Sequence, residues 1–177
     1  MPTICFSSVT MSADEFVAVN FRLWRAAPAT RRNHWILGVG LALLTVSLVL
    51  ELLDTQGHIT TWSTPVLLVV GVAYGLLRAA LVRRQLRRGY QQNTVLQQPA
   101  DFILTDKELQ GNSPTGTFRT PWSTLQRAIR VGPNWLLLYP THAACYYLDL
   151  RRLVLPATPT AVEALLAQHS VPVRQLT

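Results

Sequence analysis

The chain has 177 residues, of which 49% are hydrophobic and 14% charged, with a formal net charge of +7. Soluble domains average about 25% charged residues, and disordered chains pair low hydrophobicity with high charge, so neither class fits. Two cysteines exclude a disulfide scaffold, and a mean hydropathy of +0.22 fits an average over a membrane part and a polar part.

Residues 1–11 show no periodic pattern and are expected to be disordered or to precede the true start, with Met11 a second candidate beside Met1. Ser12 followed by Glu15 is a capping-box signature. It predicts a helix over 13–26 within an amphipathic and basic segment 12–34. Phe16, Val19, Phe21, Leu23 and Trp24 make part of that helix apolar, and Arg22 and Arg25 make part of it basic. Such a helix either lies on a membrane surface or packs on the C-terminal domain.

Residues 35–50 (WILGVGLALLTVSLVL) and 62–77 (WSTPVLLVVGVAYGLL) carry no charge. Each, extended past one end charge, reaches the roughly 20 residues that span a bilayer. Buried helices of a soluble core would show a polar stripe, and neither run has one. The pattern predicts a transmembrane hairpin over 35–82, with spans of about 35–53 and 64–82 joined by a short polar loop. Trp35 and Trp62 open the two runs, where amphipathic rings favour the headgroup layer. Arg78 sits near the end of the second run and can snorkel outward. Gly71, Gly75 and Ala79 place small residues on one face of the second span, and Gly38 and Ala42 do so on the first. Small residues let helices approach closely, within the hairpin or between copies.

Residues 83–98 read as a basic helix fraying into a linker. From 99 to 171 short strand patterns alternate with turn residues: strands at 102–105, 107–110, 117–120, 125–131, 135–139 and 144–150, with a turn over 111–116. Thr158 or Thr160 caps a last helix of about 159–169, with Pro159 in its first turn and Pro172 beyond its end. The fold class is therefore an α+β membrane protein: N-terminal helix, two-helix hairpin, and a small antiparallel domain of pleckstrin-homology-like (PH-like) plan closed by a C-terminal helix.

Charge by segment sets orientation. Arg22, Arg25, Arg31 and Arg32 precede the first span; Arg78, Arg83, Arg84, Arg87 and Arg88 follow the second with no acid up to residue 100. The connecting loop holds only Glu51 and Asp54 as charges. The positive-inside rule then puts both termini in the cytoplasm. These arginines are read as topology determinants and anionic-lipid contacts, not as a nucleic-acid surface. Cys5 and Cys145 would face a reducing compartment and stay unpaired.

An acidic helix start, two close spans, an arginine-rich exit and a β-rich domain containing Thr120-Pro121-Trp122-Ser123-Thr124-Leu125 together resemble the YcxB-like family of small bacterial membrane proteins. Residues 102–109, 135–138 and 146–153 carry the likeness further, and it covers most of the chain from about Met11. The family commonly has a proline and a basic residue after its last strand; this chain keeps Arg151 and Arg152 there and lacks the proline. The resemblance implies a multi-pass protein of the bacterial inner membrane and brings no reaction, ligand or cofactor with it.

No catalytic or cofactor motif is present in the sequence. His142 and Cys145 lie three apart without further ligands nearby to complete a metal site. Asp101, Asp106 and Glu108 read as solvated strand ends. Trp122 is expected to be a packing anchor between sheet and helix whose indole N–H needs one partner. Arg127, Arg130, Arg151 and Arg152 are a candidate basic binding face. The expected function is non-enzymatic: a small cytosolic domain held at the inner leaflet, binding a protein or a lipid headgroup, with membrane lipids and a protein partner or second copy as companions. The alternative is a subunit of an oligomeric small transporter or channel.

Overall fold

The computed structural model describes residues 3–59, 61–142 and 144–176. The chain is α+β and divides into two compact units. One joins the residues up to 23 with those from 87 onward; the other comprises residues 24–86.

The first unit holds two four-stranded sheets. Strands β1 (Ile4–Val9), β2 (Ala100–Leu104), β3 (Glu108–Ser113) and β4 (Gly116–Pro121) pair in that order, all antiparallel. In the second sheet the order is β7 (Tyr146–Asp149), β6 (Trp135–Tyr139), β5 (Arg127–Val131), β8 (Val173–Leu176). Its β5–β8 pair is parallel, so this sheet is mixed rather than purely antiparallel. The two sheets share one core, to which β1 and β2 contribute Phe6, Phe102 and Leu104, and β6 and β7 contribute Leu136, Leu138 and Leu148. Strand β6 is buried at every position, as expected of a strand covered on both faces.

Two of this unit's helices add side chains to the shared core. Helix α1 (Ala13–Ala26) starts at the expected box: the Ser12 N–H donates to Glu15 Oε2 at 3.0 Å, and the Glu15 N–H donates to Ser12 Oγ at 3.2 Å. After β7 and a 3-10 turn, α5 (Pro159–Gln168) begins at Thr158, whose hydroxyl accepts from the Ala161 N–H at 3.3 Å. It lays Val162, Leu165 and Leu166 into the core.

The expectation that residues 1–11 are disordered is corrected for Ile4–Val9, which form β1. Strand β1 pairs with β2 in register from Ile4↔Leu104 to Phe6↔Phe102, then slips at a bulge before Val9↔Ala100. Ser8, at φ 51°, makes the bulge and turns Val9 back into the core. Strand β3 also runs further than expected, through Gly111 to Ser113, so the turn shrinks to Pro114 and Thr115. Gly111 is required there because the Phe118 ring lies where its Cβ would be. Strand β5 begins at Arg127, two residues after the start of its sequence run, and β7 covers Tyr146–Asp149, with Leu150 passing into a 3-10 turn over Leu150–Arg152.

In the other unit, α2 (Pro28–Asp54) is 27 residues long. Helix α3 (Ser63–Gln92) has 30 residues and continues into the first unit. At about 1.5 Å per residue these measure roughly 40 and 45 Å. Both outrun their uncharged stretches: Pro28 opens α2 seven residues before Trp35, and α3 absorbs most of the segment read as linker. A short helix, α4 (Thr94–Gln97), follows.

Candidate functional site

Both α2 and α3 are long and apolar enough to cross a membrane, and none of either apolar window is buried. Trp35 and Leu76 are each 76% exposed, and Val46, Leu50, Val69 and Val70 are exposed with them. A soluble protein hides such a surface, because each square ångström of apolar area left in water costs about 25 cal/mol.

The small residues of α3 are used inside the hairpin. An added Cβ at Gly71 would stand 2.8 Å from Leu41 Cδ2, and one at Gly75 would stand 3.4 Å from Leu37 Cδ2. Ala79, on the same face, is half-buried. Gly38 meets nothing within 4 Å, and Ala42 is exposed. Gly71→Leu is therefore expected to destabilise the hairpin by about 1–3 kcal/mol through overpacking, with Gly38→Leu close to neutral. Unfolding titrations of the two variants in mixed detergent micelles check this.

Helix α1 packs on the β domain, one of its two expected placements. The Phe16 ring lies 6.0 Å from Tyr147 and 5.5 Å from Tyr90. Tyr147 donates to Asn20 Oδ1 at 3.3 Å, Tyr90 donates to the Met11 carbonyl at 2.5 Å, and Arg87 pairs with Asp14. Arg151 ties the start of α1 to β7. Its guanidinium donates to Glu15 at 2.6 Å and to both oxygens of Asp149, which is 2% exposed. The hydrogen bonds it donates to Asp149 and then to Glu15 raise the Arg151 pKa further, so it stays charged.

Burial alone would raise the Glu15 pKa; the Ser12 N–H, Arg151 and the Ser12 hydroxyl outweigh it and hold the carboxyl below its ordinary value of 4.5. A carboxyl depressed in the folded state stabilises that state above its unfolded pKa and loses the contribution as pH falls through the folded one. The first unit is thus expected to weaken below about pH 4.5, and Glu15→Gln to flatten that part of the curve. Thermal unfolding of the two chains between neutral and acid pH measures it.

The four domain arginines do not form one face. Arg127 and Arg130 lie three apart on β5, hence on opposite sides of the sheet. Arg127 stacks over Tyr139 at 4.7 Å, Arg130 pairs with Glu163 of α5, and Arg151 is engaged as described. Arg152 is exposed. Of the arginines flanking the apolar stretches of the two long helices, Arg25, Arg31, Arg32, Arg84 and Arg88 are all exposed. Arg22 is exposed too and reaches the backbone of Gly132, while Arg78 sits 5.3 Å over the Trp24 ring.

Trp122 is 4% exposed. Its indole N–H donates to the Thr105 carbonyl at 2.8 Å, and its ring stacks on His169, the C-cap of α5, at 4.9 Å and 7°. It therefore joins the β2–β3 connection to the end of the last helix.

A cavity of about 450 Å³ opens at one end of the paired sheets. The same end carries the exit of β1, the entry to β2, the β3–β4 turn and the start of β7. Phe102, Phe118, Trp135, Tyr146 and Tyr147 supply rings to its wall, and Val95 and Leu96 of α4 lie at its edge. Phe118 and Tyr146 stack at 4.5 Å and 6° across the junction of the sheets, and Thr120 Oγ1 lies 3.0 Å from the Tyr146 hydroxyl. Sequence reading missed this site because its wall comes from five separated segments; the clustered aromatics of β7 were a local trace of it.

Cys145 lines the cavity, and burial pushes its thiol pKa up, so it stays protonated and a poor nucleophile at neutral pH. Burial likewise raises Tyr147, and pushes Tyr139 up to about 12. Among the described residues no group of three His, Cys, Asp or Glu could hold a metal, and both cysteines are free. No protein-family model matches this chain, and neither does any curated protein or solved structure.

Proposed function

We propose that this is a multi-pass protein of the bacterial cytoplasmic membrane whose two long helices cross the bilayer and hold a PH-like domain at the inner leaflet. There the domain binds a protein or a lipid headgroup and catalyses no reaction. The observation that carries the membrane reading is that the apolar stretches of both helices bury no residue and leave most of their large side chains exposed. Helices that apolar have lipid, or another copy of themselves, as their natural surroundings.

Topology adds an independent argument. Strand β1 lies before the hairpin and β2 after it, yet they pair in one sheet. Both ends of the hairpin must then emerge on the same side, and the arginines flanking it favour the cytoplasmic side. Two four-stranded sheets around one core, with α5 packed into it, support the PH-like plan, from which the parallel strand β8 after that helix departs; the membrane helices are inserted between its first two strands. The YcxB-like likeness remains part of this proposal.

A reporter fused after residue 177 is expected to read as cytoplasmic, and one inserted in the loop between α2 and α3 as external. An external C-terminus overturns the orientation. Headgroup binding is tested on the full chain in nanodiscs, since β1 is part of the domain and a fragment beginning at residue 94 lacks it. Enrichment of anionic over zwitterionic lipid around the protein, lost on replacing Arg84 and Arg88, supports the lipid arm. Equal retention of both lipids, with no co-purifying protein from native membranes, overturns the binding role.

A further inference from the structure

The cavity at the open end of the sheets calls for a ligand of a different chemistry from a charged headgroup. Its lining contains no charged side chain. Five aromatic side chains are among its lining residues, so a bound molecule would meet largely apolar surface. The hydroxyls at the mouth are already engaged: Ser113 Oγ and Thr115 Oγ1 lie 2.9 Å apart, and Ser113 donates to the Gly116 carbonyl at 3.0 Å. One polar group in the wall is not satisfied. The Gln98 side chain lines the cavity, and its Oε1 is buried without a hydrogen-bond partner. Unpartnered buried acceptors are uncommon, and each one in a native protein asks for an explanation. A turn of the terminal amide would offer this oxygen to an occupant. At about 30 Å³ per water-sized group, the volume accommodates on the order of fifteen non-hydrogen atoms.

We propose that this cavity binds an uncharged, largely apolar small molecule of that size, bearing a hydrogen-bond donor that Gln98 accepts. The site is independent of the headgroup reading: it needs no arginine and no anionic lipid. It also has the form of ordinary small-molecule sites, which are concave, mostly apolar, and oriented by few polar groups.

The probe is N-phenyl-1-naphthylamine, which is uncharged, of about that size, and carries one N–H. The full chain is placed in nanodiscs, and uptake is measured by equilibrium dialysis against empty nanodiscs. One saturable probe per chain, above linear partition into lipid, is expected; purely linear uptake overturns the proposal. Gln98→Leu is expected to weaken saturable binding by about threefold to tenfold, the worth of one hydrogen bond. Binding indifferent to that change overturns the role of Gln98. The two free cysteines locate the probe within the same molecule. Cys145 lines the cavity and Cys5 does not. With an uncharged maleimide at alkaline pH, probe at ten times its Kd should slow modification of Cys145 about tenfold and leave Cys5 unchanged. Equal slowing of both thiols places the probe elsewhere and overturns the site.

Discussion

Removing residues 1–10, so that the chain begins at Met11, is expected to abolish cooperative unfolding of the β domain, and Phe6→Ala alone to cost about 3–5 kcal/mol. Phe6 is 1% exposed, and Ile4 and Val9 are buried beside it. The strand does more than cover an edge. Its Phe6 pairs with Phe102 on one side and bridges to Leu153 on the other, and the Cys5 carbonyl accepts from the Val154 N–H at 2.9 Å. It thereby links the first sheet to the segment that follows the second. Chemical unfolding of the full chain, followed by near-ultraviolet circular dichroism and by proteolysis of the β domain, measures the loss. An unchanged midpoint for Phe6→Ala would show that β1 contributes only an edge. The same experiment bears on the membrane reading, because β1 is what requires both hairpin ends to return to one side.

The features legible in the sequence were those written within a single turn or a single run. Ser12 and Glu15 specify the start of α1 through a reciprocal pair of hydrogen bonds three residues apart, and Thr158 with Pro159 does the same for α5. The apolar runs mark α2 and α3 because they are continuous and lack the polar stripe of a helix buried on one face. Strand β6 stands out as Trp-Leu-Leu-Leu-Tyr because both its faces are covered. The misread features depend on distant residues. Strand β1 has its partner some 95 positions away, and its alternation is broken at Ser8 by a bulge that only pairing with β2 reveals. Gly111-Asn112-Ser113 has turn composition, yet it stays extended because Phe118 from the next strand covers the glycine. Strand β8 lies beyond Pro172 and gains its order from β5 by parallel pairing, for which no local signal exists.

The same distinction separates the arginines from the cavity. Counting charges by segment identified the exposed arginines flanking the hairpin, since their effect is additive and needs no geometry. It could not show that Arg130 and Arg151 are consumed by Glu163, Glu15 and Asp149, because those partners come from other elements. An isolated arginine in sequence is a candidate ligand; an arginine bonded to a nearly buried carboxylate is part of the scaffold. Removing its side chain would leave the nearly buried Asp149 with only the backbone N–H of residue 151, which is costlier than losing the pair as a whole.

Trp122→Ala is expected to destabilise the first unit by about 3–5 kcal/mol, among the largest effects of any single side chain. Two losses combine. The ring leaves a void under the end of α5, where it stacks on His169, and the Thr105 carbonyl loses its donor. Trp122→Phe separates them. It restores most of the ring but not the N–H, so it should cost about 1–3 kcal/mol, the range for a buried acceptor left unpaired. Urea titration of the full chain in nanodiscs, monitored by the far-ultraviolet signal of the β domain, orders wild type, Trp122→Phe and Trp122→Ala. If Phe matches wild type, the hydrogen bond to Thr105 is dispensable and the site is held by packing alone. If Phe matches Ala, the bond dominates, and the residue works mainly by fixing the β2–β3 connection. The intermediate value is expected because the ring and its donor face different elements. The ring lies against the last helix, the N–H against the loop after β2, and no smaller side chain reaches both.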